Sequence, residues 1–407
     1  MSPITLLGNK RIVLGVTGSI ACYKAVDLAS KLTQAGALVD VILTEAATHF
    51  VTPLSFRSVT GRPVYTDMWQ LAEHVLHVNL GETADLLVIA PATAHTMAKL
   101  AQGLADNLLT MTALAARCPL LIAPAMDGGM YEHPATQVNL ATLQQRGVIL
   151  AGPAAGRMAS GLSGRGRLLE PSELLAHIRL ALARRGPLAG RHVVVTAGPT
   201  REPIDPVRFI SNYSSGKQGL ALAQAALDAG ARVTLITGPM GEPIPLGADP
   251  VRVETTEQMK AAVLAAVTEA DALFMAAAVA DFRPERPAAQ KIKKKETPAS
   301  APVIHLTTNP DVLLAVKAYK EQTGRPLVTL GFAAETENVV ANGRDKLIRK
   351  GLDLIAINDV SQPDAGFGVD TNRVTLLGRG GLVVELPLQS KTAVAETLVE
   401  YVARTLQ

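Results

Sequence analysis

Two short runs carry residue types that could hold an anion. In GVTGSIACYK an apolar run ends at Gly18 and Ser19, just ahead of a helical pattern. Free backbone N–H groups and the helix dipole favour a phosphate at such a point. In TAGPTREPIDPVRFISNYSSGKQG, residues 196–219, Asn212, Ser214, Ser215, Gly216 and Lys217 cluster before a second helix. Those donors suit a phosphate or a developing oxyanion. Neither run is GxGxxG, nor GxxxxGK followed by Ser or Thr, so a dinucleotide fingerprint and a P-loop kinase both lose support. By type and spacing alone the first run is equally a tight α/β turn, and the second is an anion site of unspecified kind or a capped helix start.

Other strand ends add to the first run. Thr44, then Pro91, Ala92 and Thr93 in APATAHT, and Asn107 in ADNLL offer small or polar residues that let a flat ring approach the backbone. The stretch GRMASGLSGRGRLLEP, Gly156 to Pro171, reads as a mobile Gly/Arg flap containing Ser160. KIKKK, Lys291 to Lys295, follows the strand end AAAVAD. It is either a solvated charged loop or a lid in which Lys291 neutralises the α-phosphate of a triphosphate.

The elements that must position these residues follow an alternation of apolar runs and helical patterns, which predicts parallel α/β layers. Strands are expected over 11–18, 38–45, 84–94, 119–126, 191–198, 270–281, 326–335 and 353–359, with a hairpin at 373–386 and a last helix near 390–406. The apolar runs are nearly continuous, so these strands should be buried on both faces. Between Arg184 and His192 the pattern restarts, and VVVTAG with AGARVTLITG echoes VLGVTG with AGALVDVILTE. Two tandem doubly wound, Rossmann-like domains are expected, 1–187 and 188–407.

Composition narrows the partners. The 407 residues carry 39 basic against 36 acidic side chains, a formal charge of +3, and only 3% aromatics. That balance gives no electrostatic footprint for nucleic acid or an anionic membrane, and no platform of stacked rings. Cys22 and Cys118 are too few and too separated for a disulfide framework or a zinc site. No uncharged run reaches the ~18 apolar residues of a membrane span, and the N-terminal apolar run reads as a first strand, so a cytoplasmic protein is expected.

Taken together, GVTGSIACYK, APATA, GLADNLL and PAMDGGMY resemble the flavin-containing cysteine decarboxylases, and the whole arrangement resembles the bifunctional phosphopantothenoylcysteine decarboxylase and phosphopantothenate–cysteine ligase family of coenzyme A biosynthesis. The resemblance implies an FMN site from Gly18, Ser19, Ile20, Thr44, Pro91, Ala92, Thr93 and Asn107. It implies oxidation of the substrate thiol to a thioaldehyde, loss of CO₂, and reduction of the enethiol with help from an acid. The family's essential histidine aligns with His77, with His74 as the competing choice. Two family positions differ: PAMN stands here as PAMD with Asp127, and ACGxxGxGR stands as ASGLSGRGR with Ser160 in place of the proton-donating cysteine. A hydroxyl is a far weaker acid than a thiol, so the final reduction should suffer more than the decarboxylation. Three outcomes remain open: full activity with another acid, release of the enethiol, or a flavin-type domain kept for structure beside an active ligase.

For the second half, TTNPDVLL, GFAAETEN and DKLIRKGLDLIAINDV complete the resemblance. It implies that the carboxylate of 4′-phosphopantothenate attacks CTP to give an acyl cytidylate, from which cysteine displaces CMP. Asn212 would stabilise the intermediate and Lys291 would serve the first step. Nucleotide contacts would fall at Met275, Ala276, Ala277, Asp281, Asn309, Pro310, Asp311, Val312, Phe332, Lys346 and Lys350, with Mg²⁺ on the triphosphate. Trimeric flavin domains and dimeric ligase domains, together a dodecamer, are also implied. A regulatory flavoprotein subunit is the competing class, and it would release no CMP.

Overall fold

The computed structural model describes residues 3–69, 75–157, 161, 163–293, 303–335, 338–359 and 368–407. Two compact units form, Met1–Arg184 and Arg185–Gln407. In the first, strands β1 Arg11–Val16, β2 Leu38–Leu43, β3 Val64–Tyr65, β4 Leu86–Ala92, β5 Leu120–Pro124 and β6 Ile149–Leu150 build the sheet. Helices α1 Cys22–Gln34, α2 Glu45–Thr48, α3 Pro53–Thr60, α4 Leu76–Thr83, α5 Ala94–Gln102, α6 Leu108–Ala115, α7 Gly128–Glu132 and α8 Pro134–Gln145 connect them. A hairpin of β7 Ala154–Arg157 and β8 Ser163–Arg167 and helix α9 Pro171–Ala183 close the unit.

The sheet is wholly parallel, in the order β3-β2-β1-β4-β5-β6. The chain leaves β1 in one direction, returns, and leaves β4 in the other, so the crevice at the carboxyl ends of β1 and β4 is the switch point where doubly wound sheets bind ligands. Every residue of β4 is buried, as are all but the first of β1, β2 and β5, which is what continuous apolar runs covered on both faces require.

The second unit repeats the plan and extends it. Its strands are β9 His192–Ala197, β10 Arg201–Pro203, β11 Phe209–Ser211, β12 Arg232–Thr237, β13 Ala248–Arg252, β14 Ala272–Met275, β15 Phe282–Pro284, β16 Leu306–Thr308, β17 Val328–Glu335, β18 Leu354–Asp359, β19 Thr371–Gly378 and β20 Val383–Ser390. Helices α10 Lys217–Asp228, α11 Thr256–Ala266, α12 Val312–Thr323, α13 Val339–Arg349 and α14 Lys391–Thr405 accompany them. The main sheet runs β13-β12-β9-β14-β17-β18-β19-β20, parallel as far as β18 and antiparallel through the terminal hairpin.

Three expectations are corrected. The strand expected over 270–281 stops at Met275, because the amides of Ala276 and Ala277 turn to the hydroxyl of Thr196 at 3.1 and 3.0 Å and leave the neighbouring strand. The described arms of the flap pair as antiparallel strands, Ala154 opposite Arg167 and then, after a register shift, Ala155 opposite Arg165 to Arg157 opposite Ser163. Between the first strand and helix of the second unit, β10 pairs with β11, and farther on β15 pairs with β16. These pieces are three residues long, too short to show a period-2 pattern. Among the described residues no helix is long and apolar enough to cross a membrane.

Candidate functional site

In the first unit the switch point is cross-linked by Thr17, at the end of β1. Its hydroxyl donates to Pro91 O at 2.8 Å and accepts from Thr93 N–H at 3.0 Å. This pins the turn after β4, whose Thr93 caps α5 by accepting from Thr96 N–H. A cavity of about 580 Å³ opens beside it. Gly18, Ser19, Thr44, Thr93 and Asn107 line it, with Glu45, His95, Lys99 and Asp106. Gly18 must lack a side chain, because a Cβ there would sit 2.5 Å from Ala46 Cβ. Asn107 also caps α6, accepting from Thr110 N–H at 3.0 Å. Lys99 holds Asp106 at 2.6 Å, and that ammonium keeps the carboxyl below its usual range.

A second cavity of about 320 Å³ shares Ser19, Ala125 and Met126 with the first and adds Ile20, Tyr23, Lys24, Asp127, Arg157, Gly166 and Arg167. Asp127 Oδ1 accepts from Gly129 N–H at 3.1 Å, so part of this carboxylate is committed to the start of α7. The hairpin seats on the same stretch: Met126 N–H donates to Gly166 O at 2.9 Å, and a Cβ on Gly166 would meet Met126 O at 2.3 Å. Pro91 and Ala92 are buried in β4 and line neither cavity, and His77 lies half-buried on α4, also outside both linings. Ser160 and His74 lie outside the described residues.

In the second unit Thr196 plays the part of Thr17, with Ala276 and Ala277 as its partners. A cavity of about 350 Å³ gathers Asn212, Ser214, Ser215, Gly216 and Lys217 with Ala276, Ala277, Asp281, Phe332 and Lys346. Gly216 has φ +79° and a Cβ there would meet Met240 Sδ at 2.6 Å, so the loop can enter α10 only through glycine. Asn212 donates one Nδ2 hydrogen to Ala278 O at 3.1 Å, leaving the other amide hydrogen available. Met275 is buried in the core beneath.

Asn309 is tied to the backbone. Its N–H donates to Asp281 O and its Nδ2 to Ala280 O, both at 2.8 Å, and it accepts from Arg283 at 2.8 Å. It therefore positions the Asp281 loop. Pro310, Asp311 and Val312 open α12, where Asp311 accepts from Leu314 N–H and pairs with Lys350. Burial pushes the Lys350 ammonium pKa down, against the pull of Asp281. Lys346 pairs with Glu335.

Lys291 is exposed and is absent from the lining. Its neighbour is anchored: Ile292 N–H donates to Asp205 at 3.2 Å and Ile292 O accepts from Arg208 at 3.0 Å. The Arg208 guanidinium holds the Asp205 carboxyl far below the carboxylate range. Lys294 and Lys295 lie outside the described residues.

Sequence reasoning missed Asn358, Asn372 and Lys391, which reach the same cavity from β18, β19 and α14. No motif joins them; only the terminal hairpin added to the sheet does. It also missed Lys24, nearly buried, whose ammonium bridges Glu170 at 2.8 Å and Leu168 O at 3.0 Å at the base of the hairpin. A further cavity of about 890 Å³ is lined by Arg201, Met240, Glu242 and Arg252 among others and holds none of the expected residues. Among the described residues no group of three His, Cys, Asp or Glu could hold a metal.

Residues 2–182 match the Flavoprotein family model, and residues 188–406 match the DNA/pantothenate metabolism flavoprotein C-terminal domain. The chain is 45% identical over 398 residues to the coenzyme A biosynthesis bifunctional protein CoaBC of Vibrio cholerae, covering 97% of this chain and 98% of that one. It is 44% identical over 403 residues to the same protein of Bacillus subtilis, covering 98% of each. To that of Mycobacterium bovis it is 46% identical over 409 residues, 98% of this chain and 97% of the relative.

Proposed function

The chain belongs to the CoaBC family of bifunctional coenzyme A biosynthesis proteins, and from that premise we propose that it ligates 4′-phosphopantothenate to cysteine at the expense of CTP and then decarboxylates the product to 4′-phosphopantetheine. It is an enzyme with ligase and decarboxylase halves, acting on small molecules. The domain limits are 1–187 and 188–407, and the assembly is the trimer-and-dimer dodecamer of the family, in the cytoplasm.

The observation that carries the ligase reading is the convergence of Asn212, Asp281, Phe332 and Lys346 on one cavity from four separate stretches of chain. There the carboxylate of the acid attacks the α-phosphorus of CTP, the bond to the β-phosphate breaks, and pyrophosphate leaves. The amine of cysteine then attacks the acyl carbon, CMP leaves, and the amine loses a proton. The free amide hydrogen of Asn212 faces charge that develops on the acyl cytidylate. Lys346 and Lys350, with the backbone at 275–277 and 309–312, hold the nucleotide. Lys291 serves the α-phosphate; its side chain stands in solvent beside Ile292, whose N–H is anchored on Asp205. Mg²⁺ would be held chiefly by the triphosphate, as it usually binds through substrate phosphates and one or two carboxylates, and Asp281 on the described lining would supply a carboxylate.

In the first unit the residues present fit FMN. The two joined cavities offer a Gly18 cradle, the capped starts of α5 and α6, and the ammonium of Lys99, paired with Asp106. When bound, FMN supplies two-electron oxidation of the substrate thiol and later returns those electrons. Gly18, Ser19, Ile20, Thr44, Thr93 and Asn107 hold it, with Pro91 and Ala92 behind. Asp127 and the hairpin close over the cysteinyl end of the substrate, and Ser160 stands at the proton-donating position. His77, outside the cavity linings of its own chain, serves a site completed by a neighbouring subunit.

A second reading, ligase activity beside an inactive or enethiol-releasing flavin-type domain, is favoured by Asp127 and Ser160 standing where the family has Asn and Cys. A visible spectrum of the purified protein tests the first unit: bound flavin absorbance supports the proposal, and its absence at full protein recovery contradicts it. CMP release that depends on both CTP and the acid tests the second unit.

A further inference from the structure

The cavity of about 320 Å³ beside the hairpin is lined by Tyr23, Lys24, Asp127, Arg157 and Arg167 among others. Lys24 is tied to Glu170 at 2.8 Å and to Leu168 O at 3.0 Å, and Arg167 is tied to the same Glu170 at 2.6 Å. Tyr23 is 65% exposed, so its phenol faces solvent. Arg157, on β7, has no ion pair among the described residues, which leaves it as the cation that draws the carboxylate of the cysteinyl end into this cavity. A guanidinium holds its protons too firmly to give one away. Helix α8, beside α7, carries no charged side chain, and Glu132 and His133 at the far end of α7 are exposed.

Asp127 is half-buried at the turn on which the hairpin seats, with one carboxylate oxygen on Gly129 N–H. Ile20, Met126 and Leu168 supply apolar wall around it. Two carboxylates side by side in such surroundings cannot both stay ionised, so a substrate carboxylate that enters beside Asp127 brings a proton shared by the pair. When CO₂ leaves, that proton stays on Asp127, next to the carbon just vacated. The overall reaction replaces a carboxylate by hydrogen and therefore consumes one proton, the same number that the pair took up.

We propose that Asp127 is the catalytic acid of the decarboxylase half and delivers this proton to the α carbon of the cysteinyl end. Loss of CO₂ leaves the electron pair of the broken C–C bond delocalised to sulfur as an enethiolate. The O–H bond of Asp127 then breaks with its pair left on oxygen, the C=C pair forms the new C–H bond, and the carbon bearing sulfur becomes a thioaldehyde. Reduction of that thioaldehyde by a hydride, which reduced flavin supplies, gives the product thiolate. Ser160→Cys would add a second donor beside this one. The inference rests on the decarboxylase reading.

The test supplies phosphopantothenoylcysteine to the flavin-loaded full chain and to its Asp127→Asn variant, whose amide oxygen keeps the Gly129 contact. If the unaltered protein releases no CO₂, it is the decarboxylase reading that fails. Given CO₂ release, Asp127→Asn should keep it near the parent rate while the reduced thiol falls by about 10²-fold and the enethiol accumulates in its place. Unchanged formation of the thiol overturns the proposal, and so does an equal loss of CO₂ and thiol, the pattern of a merely structural role. Binding calorimetry with phosphopantothenoylserine, which has no thiol to oxidise, follows the proton without turnover and shows that the variant is folded. In buffers of different ionisation enthalpy near neutral pH, the unaltered protein should take up about one proton more than Asp127→Asn. Equal uptake by the two overturns the proposal.

Discussion

The two units solve the same problem with one device and then part company. Each places a buried threonine at the carboxyl end of its first strand and uses that hydroxyl to fix the turn beyond the neighbouring strand: Thr17 with Pro91 and Thr93, Thr196 with Ala276 and Ala277. In the first unit β4 stays in the sheet to Ala92, and the residues proposed above to react include His77 on α4 and Asp127 at the start of α7, both off the sheet. In the second, β14 ends early, its freed backbone becomes cavity wall, and the terminal hairpin and α14 carry further groups to the same place. A site assembled from peripheral pieces tolerates exchange of one piece while its cradle persists.

The comparison can be broken most forcefully at Asn212. Asn212→Ala should lower CMP release by about 10²–10³-fold, as loss of an oxyanion-type donor does. Decarboxylation of supplied phosphopantothenoylcysteine by the same variant should be unchanged, and a parallel loss would show that the units are not independent. Gly166→Ala is the counterpart. Its Cβ would press on Met126 O, and shifting the hairpin by an ångström should slow decarboxylation on the order of 10²-fold, with ligation intact. Equal rates in variant and parent would mean the hairpin takes no part.

Smaller effects sharpen the threonine device. Thr196→Val leaves two amides without an acceptor, against one for Thr17→Val, so at roughly 1–3 kcal/mol each the ligase unit should lose more local stability. Hydrogen exchange would show faster opening at Ala276 and Ala277 than at Thr93, and the reverse order would remove the parallel. The smallest change expected is a gain: Ser160→Cys should raise formation of the reduced product several-fold, because a thiol is the stronger acid. No change would mean another group already gives the proton.

The sheet cores were legible because buried parallel strands leave continuous apolar runs, and the restart near Arg184 divided the chain in two. What the sequence hid is where local preference yields to tertiary contacts. ADALFMAAAVAD reads as one strand until Thr196 draws two of its amides away, and Asn358, Asn372 and Lys391 are ordinary strand and cap residues until the hairpin closes on α10. The strand pairing of the Gly/Arg stretch was hidden because glycine carries no pattern, and its described arms pair as β7 and β8. Lys291 stood in a charged run that position alone could not aim, and its side chain faces solvent.

The central claim is that both units work in sequence on one substrate. The full-length protein, loaded with flavin and given 4′-phosphopantothenate, CTP, Mg²⁺ and cysteine, should release CMP, pyrophosphate and CO₂ and yield 4′-phosphopantetheine, followed by mass spectrometry of the product thiol. Accumulation of phosphopantothenoylcysteine, with CMP released but no CO₂, would contradict it.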